Sequence, residues 1–125
     1  MAISTQEMDE WVRDINSSEI PIIVEGRKDK TALRNIGINN DILLYYSQPR
    51  YRLIEHIAKH HKKVIILTDN DKEGRKLYGV LNGELSRFGV TVDKIFREFL
   101  QRETKLDQIE GIETYCRHLS EDPPI

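Results

Sequence analysis

The run Val64-Ile65-Ile66-Leu67-Thr68 is apolar on both faces and stops abruptly at Asp69-Asn70-Asp71. A strand with two apolar faces must be covered on both sides, a condition met inside a parallel sheet flanked by helices. Ile20-Pro21-Ile22-Ile23-Val24 has the same character and stops at Glu25-Gly26, and Asp41 to Tyr46 reads as another strand. Helical stretches separate them. Arg27 to Arg34 opens a helix that stops near Gly37, and Ser47 and Pro49 start one with Ile54, Ile57, Ala58 and His61 on its face. After Asp71 a longer helix carries Leu77, Leu81, Leu85 and Phe88 on one stripe and ends at Gly89. Strands alternating with helices at this spacing imply βαβ units with right-handed crossovers. The expected fold class is therefore α/β: a parallel sheet of about four strands with helices on both faces.

The ends of the chain are less regular. Ser4 and Glu7 have capping-box spacing, Ile3 and Met8 sit where a hydrophobic staple would, and Met8, Trp11, Val12 and Ile15 share one helical face. Near the other end, Asp93 is placed to cap a helix carrying Ile95, Phe96, Phe99 and Leu100. Thr104 to Glu110 then reads as the fourth strand, and Ile112 to Leu119 as a final helix. The competing reading is one continuous helix from Asp93, which Gly111 weakens. We expect residues 1–19 to form a helix packed on the domain, 20–119 to form the domain itself, and 120–125 to be a loose tail.

A length of 125 residues suits one domain. The net charge of −2 gives no overall basic footprint, so any attraction for nucleic acid must be local. Cys116 is the single cysteine, which excludes an internal disulfide and a Cys-based zinc site and suits a reducing compartment. No stretch approaches the roughly 18 apolar residues of a membrane span, and the first residues lack the pattern of a secretory signal. The expected location is cytoplasmic, with no membrane partner.

In an open parallel sheet, ligands bind beyond the carboxyl ends of the strands, where strand order reverses. Two strands here end in acids: one at Glu25-Gly26, the other at Asp69-Asn70-Asp71-Lys72-Glu73-Gly74. If they are neighbours, Glu25, Asp69 and Asp71 meet at one sheet end. Crowded carboxylates repel unless a cation joins them. Mg²⁺ fits that need best, because it takes a few carboxylates and keeps exchangeable waters. Gly26 and Gly74 leave room for close approach. Lys28, Lys30, Lys72, Arg75 and Lys76 lie beside the acids in sequence and suit the remaining oxygens of a phosphate.

Val24-Glu25-Gly26-Arg27-Lys28-Asp29 resembles the glutamate motif of the Toprim family, particularly its form in bacterial-type primases and 5S ribosomal RNA maturases. Leu67-Thr68-Asp69-Asn70-Asp71-Lys72-Glu73-Gly74 resembles the aspartate motif, most closely that of type IA topoisomerases. One βαβ unit separates the two motifs, as in that family, and the chain is similar in size to small archaeal primase-like proteins. The resemblance covers roughly residues 20 to 110 and implies a Rossmann-like Toprim fold. It implies that Glu25 acts as general acid/base, that Glu25, Asp69, Asp71 and Glu73 form the Mg²⁺ set (Mn²⁺ substituting), and that Asp29 is the acid often found after the glutamate. Gly26, Lys28, Asp29, Lys30, Lys72, Gly74 and Arg75 are the expected phosphate or nucleic-acid contacts. Asn70 and Lys72 depart from the topoisomerase pattern without removing a metal ligand. The chain holds neither a primase-type zinc segment nor the large domain carrying a topoisomerase tyrosine, so topoisomerase activity by this chain alone is not expected.

Plainer readings stand beside these. Asp69 can serve merely as a helix cap, and the lysines as a solvated face. His56 and His60 have ligand spacing but lack a third partner and read as an exposed polar face. Tyr45, Tyr46 and Tyr51 read as core or rim packing, Cys116 as a small buried residue, and Trp11 as the anchor of the first helix. The expected function is Mg²⁺-dependent processing of nucleic-acid phosphodiesters, by a nuclease or an RNA or DNA maturation factor. The alternatives are a non-catalytic Mg²⁺-bridged nucleic-acid-binding module of a larger RNA-processing or replication assembly, and a site for a small phosphate-bearing ligand.

Overall fold

The computed structural model describes residues 3–121. Residues 122–125 of the expected tail lie outside that range. Four parallel strands form one sheet: β1 (Ile22–Val24), β2 (Ile42–Leu44), β3 (Lys63–Ile66) and β4 (Thr91–Asp93). Their spatial order is β2-β1-β3-β4. Ile22 is in register with Ile42 on one side and Ile65 on the other.

Side chains alternate along the strands into two cores. Ile22, Val24, Ile65 and Leu67 face one layer, while Ile23, Val64 and Ile66 face the other. The first layer is built by α1 (Thr5–Ser18), α2 (Arg27–Asn35), α5 (Ile95–Glu103) and α6 (Ile112–Ser120). The second is built by α3 (Arg50–His60) and α4 (Lys72–Arg87). The chain steps outward from β1 to β2 through α2, then reverses across the sheet through α3, on the opposite face. A reversal of direction joined to a change of face is what crossovers of a single hand require. Strand order therefore diverges between β1 and β3.

Local signals set the helix ends. Ser4 caps α1, its Oγ accepting from the Glu7 amide at 3.1 Å. Gly37 and Gly89 turn the chain after α2 and α4 with φ of 98° and 79°, conformations that cost a side chain dearly. Trp11 anchors α1 as expected: it is buried, and its Nε1 donates to the Phe96 carbonyl at 3.1 Å. The Thr5 hydroxyl donates to the Leu119 carbonyl at 3.0 Å, so the start of α1 meets the end of α6. No helix of the described residues is long and apolar enough to cross a membrane.

Four expectations are corrected. The fourth strand is Thr91–Asp93, not Thr104 to Glu110. Residues 104–108 are irregular, and their backbone serves the loop after β3, where the Asn70 amide donates to the Asp107 carbonyl at 2.6 Å. Phe88 leaves the stripe of α4 and is 64% exposed, because it lies past the last helical residue where the chain turns at Gly89. His61 falls just beyond α3, in extended backbone. The second strand is also shorter than Asp41 to Tyr46, since Tyr45–Ser47 winds into a 3₁₀ turn.

Candidate functional site

β1 ends just before Glu25, and β3 ends at Ile66, from which buried Leu67 and Thr68 lead to Asp69. Because β1 and β3 are hydrogen-bonded neighbours, both acidic stretches emerge side by side at the divergence of strand order. They touch directly: the Asp69 amide donates to Glu25 Oε2 at 2.8 Å. Asp69 Oδ1 in turn accepts from the Ile109 amide at 2.8 Å, and Asp71 Oδ1 from the Gly74 amide at 2.7 Å. Asp71, rather than Asp69, is thus the cap of α4. Each of Glu25, Asp69 and Asp71 keeps one carboxylate oxygen with no protein donor among the described residues.

The remaining expected residues are placed as follows. Asp29 is buried on the first turn of α2, where its carboxylate accepts from the Gly26 amide at 2.9 Å. Gly74 is wedged against the loop: a Cβ there would lie 2.0 Å from the Asp69 carbonyl oxygen. Gly26 faces open space instead. Glu73, Lys28, Lys72 and Arg75 stand exposed on the first turns of α2 and α4, and Lys30 is half-buried. Among the described residues none of these lysines, nor Arg75, is paired with a carboxylate. Both helices point their N-termini at the acids, so the amide dipoles and the free bases add positive potential around them. Beside α2 lies an open groove of about 740 Å³, lined by Arg27, Lys28, Gln108 and Glu110.

Burial and crowding act on the acids together. The Glu25 carboxyl is held above its usual range, first by burial and then by the charges of Asp69, Asp29 and Asp71, against the opposing pull of the Asp69 amide. Asp29 and Asp69 are raised for the same leading reason. A folded-state pKa above the unfolded value means that the folded protein binds the proton more tightly. The resulting penalty is absent below about pH 4 and grows as pH rises through the unfolded and then the folded pKa. Metal-free protein should therefore lose stability over that interval. Glu25→Gln keeps the acceptor for Asp69 and removes the charge, so in chelator at pH 7 it is expected to melt a few degrees higher, with the difference vanishing toward pH 4. Thermal melts from pH 4 to 8 check this; parallel curves for the two proteins would refute it.

Two contributors escaped the sequence reading. Arg97 of α5 is 5% exposed. Its guanidinium donates to the Thr68 carbonyl and, at 3.2 Å, to the Asp69 carbonyl, and lies 4.7 Å from the centre of the Tyr78 ring. Its sequence signal was an arginine one helical turn before Leu100, on the buried face of α5. The second is Ile109, whose amide serves Asp69 from a segment read as a strand. Elsewhere the plainer readings hold for His56, His60 and Tyr45, but not for Tyr46 and Tyr51, which are exposed rather than packed. His56 and His60 are exposed on one turn of α3, and burial pushes the half-buried Cys116 thiol up to about 11. Tyr45 packs against the second core.

Among the described residues no three His, Cys, Asp or Glu side chains form a ready metal cage. The pocket offers a sparser set: three uncommitted carboxylate oxygens, with no sulfur or imidazole among them. That set fits a hard cation that retains most of its waters, and not one that needs full protein coordination.

A sequence profile of the Toprim domain matches residues 20–82. The chain is 32% identical to a UPF0292 protein of Thermococcus kodakarensis over 121 residues, which is 93% of this chain and 89% of that protein. It is 31% identical to a UPF0292 protein of Methanocaldococcus jannaschii over 104 residues, covering 81% of each. A solved structure of a protein from Aquifex aeolicus superposes with a TM-score of 0.76 at 27% identity, covering 83% of this chain and 96% of that one.

Proposed function

Because this chain belongs to the Toprim domain family, we propose that it processes nucleic-acid phosphodiesters in a Mg²⁺-dependent reaction, as a nuclease or maturation factor. The observation that supports this reading is the 2.8 Å bond from the Asp69 amide to Glu25, which links the two acidic stretches at the end of the sheet. Asp69, Asp71 and Glu25 would hold the ion through their uncommitted oxygens, with Glu73 as the outer acid. Bound there, Mg²⁺ supplies charge neutralisation for the phosphate and activation of the attacking or leaving oxygen. Mn²⁺ substitutes for it.

The chain's own residues do the rest. Glu25 exchanges a proton with the reacting oxygen as general acid/base, its carboxylate oriented by the Asp69 amide. Asp29 holds the Gly26 amide and so fixes the start of α2. Lys28, Lys30, Lys72 and Arg75 hold phosphate oxygens not facing the acids. The compartment we assign is the cytoplasm, which keeps Cys116 reduced.

Asp71→Asn is the informative metal-site variant, since Asp71→Ala would also remove the cap of α4 at a cost of about 1 kcal/mol. Asp71→Asn is expected to weaken Mg²⁺ or Mn²⁺ binding at least tenfold by calorimetry while leaving the circular dichroism spectrum unchanged. Unchanged affinity would remove the site. With labelled single- and double-stranded RNA and DNA, cleavage should require Mg²⁺ and fall by about 10²–10⁴ in Glu25→Gln. Retention of nucleic acid without turnover would favour the non-catalytic binding module.

A further inference from the structure

Tyr45 and Tyr46 follow each other at the end of β2, and the structure treats them oppositely. Tyr45 turns into the second core, while Tyr46 is 69% exposed. Exposing an aromatic ring gives up burial that its neighbour obtains one residue earlier. The position is not a loose one. The Tyr46 amide donates to the Glu25 carbonyl at 3.1 Å, the 3₁₀ turn Tyr45–Ser47 holds the backbone, and the Ser47 hydroxyl closes on the Leu44 carbonyl at 2.9 Å. The ring is braced by Tyr45, 4.9 Å away and nearly perpendicular. Because β2 pairs with β1 in register up to Val24 and Leu44, the bond from the Tyr46 amide sets Tyr46 beside Glu25 at the same end of the sheet. The other large exposed apolar side chains lie elsewhere: Tyr51 and Phe88 flank a groove between α3 and α4, and Ile95 starts α5.

We infer that Tyr46 is a stacking platform for one unpaired base of a single-stranded nucleic acid whose phosphate lies at the Glu25–Asp69–Asp71 pocket. The inference rests on the phosphodiester reading above and narrows its substrate class. An aromatic ring with two side-chain torsions stacks at little entropic cost, and stacking tolerates any base because every base presents a π-face. Near the acids the cations Lys28, Lys72 and Arg75 have no carboxylate partner among the described residues and are available to the sugar-phosphate backbone. Bases in a duplex are already stacked and paired, so a ring beside the phosphate pocket selects strands whose bases are free.

The test is fluorescence anisotropy with labelled single-stranded and duplex oligonucleotides in Mg²⁺, using the full chain. Tyr46→Ala is expected to raise the single-strand Kd about tenfold, the scale of one lost aromatic–base stack. Tyr46→Phe should retain wild-type affinity, and duplex binding should not move in either variant. In Tyr46→Trp, the added tryptophan emission should be quenched by the single strand, against the Trp11 emission of the parent. If Tyr46→Ala binds single strands as the parent does while Asp71→Asn loses binding, the platform is wrong and the phosphodiester reading stands. If Tyr46→Ala weakens duplex equally, the single-strand assignment is wrong. If the parent binds neither form, both readings fall together.

Discussion

Gly74→Ala is expected to be among the most damaging single substitutions in this chain, costing more than about 4 kcal/mol and lowering the melting temperature by more than about 10 °C. The added Cβ would sit 2.0 Å from the carbonyl oxygen of Asp69, 2.6 Å from its carbon and 2.9 Å from its nitrogen. All three are backbone atoms, so no rotamer change relieves the overlap. The loop has little room to retreat: Thr68 Oγ1 donates to the Gly74 carbonyl at 2.7 Å, and the Gly74 amide is held by Asp71. Gly79, on the same helix, is the control. Its Cβ would meet nothing within 4 Å, so Gly79→Ala should stabilise by about 0.5–1 kcal/mol through helix propensity alone. Denaturant titrations of both variants test the contrast. A Gly74→Ala protein within about 1 kcal/mol of the parent would mean that the loop after β3 is far more plastic than its hydrogen bonds imply.

Arg97→Met should cost about 2–3 kcal/mol. Methionine keeps most of the apolar stem, so the change isolates the guanidinium. Its loss strips donors from two successive carbonyls, that of fully buried Thr68 and that of Asp69, and unsatisfied buried acceptors cost about 1–3 kcal/mol each. Relief of the buried charge offsets part of this. The direction of the Arg97 shift agrees: burial lowers it, while Tyr78, Asp69 and Glu25 pull it back up. Lysine should rescue poorly, because a single ammonium can neither fork across two carbonyls nor stack on Tyr78. Equal stability of Arg97→Met and the parent, measured by chemical denaturation, would show that desolvation cancels those bonds.

What was legible in the sequence followed from pattern length. β1 and β3 announced themselves because each is apolar on both faces and ends in acids; that Glu25 meets Asp69 depended on the two strands being neighbours, which the strand order supplies. β4 was hidden because Thr91–Asp93 carries a single apolar residue, Val92, where β1 and β2 are apolar triplets, and because Asp93 was read as the cap of the next helix, which begins at Ile95. Roles were harder to read than positions. The cap was read at Asp69, and the structure assigns that work to Asp71 while giving Asp69 to the Ile109 amide. Arg97 was missed because a charge in an amphipathic helix is usually solvated, and burial of this one depends on carbonyls of another segment, nearly thirty residues earlier. A sequence shows local periodicity directly; it does not show which distant backbone groups lack partners.

The bond between the Thr5 hydroxyl and the Leu119 carbonyl gives the fold a freedom of connection. A unit whose entry and exit points touch can be spliced into the surface loop of a host protein without stretching either side. By the same geometry, joining those points with a short linker and opening the chain at the exposed Asn39 would yield a circular permutant with its acidic crevice intact.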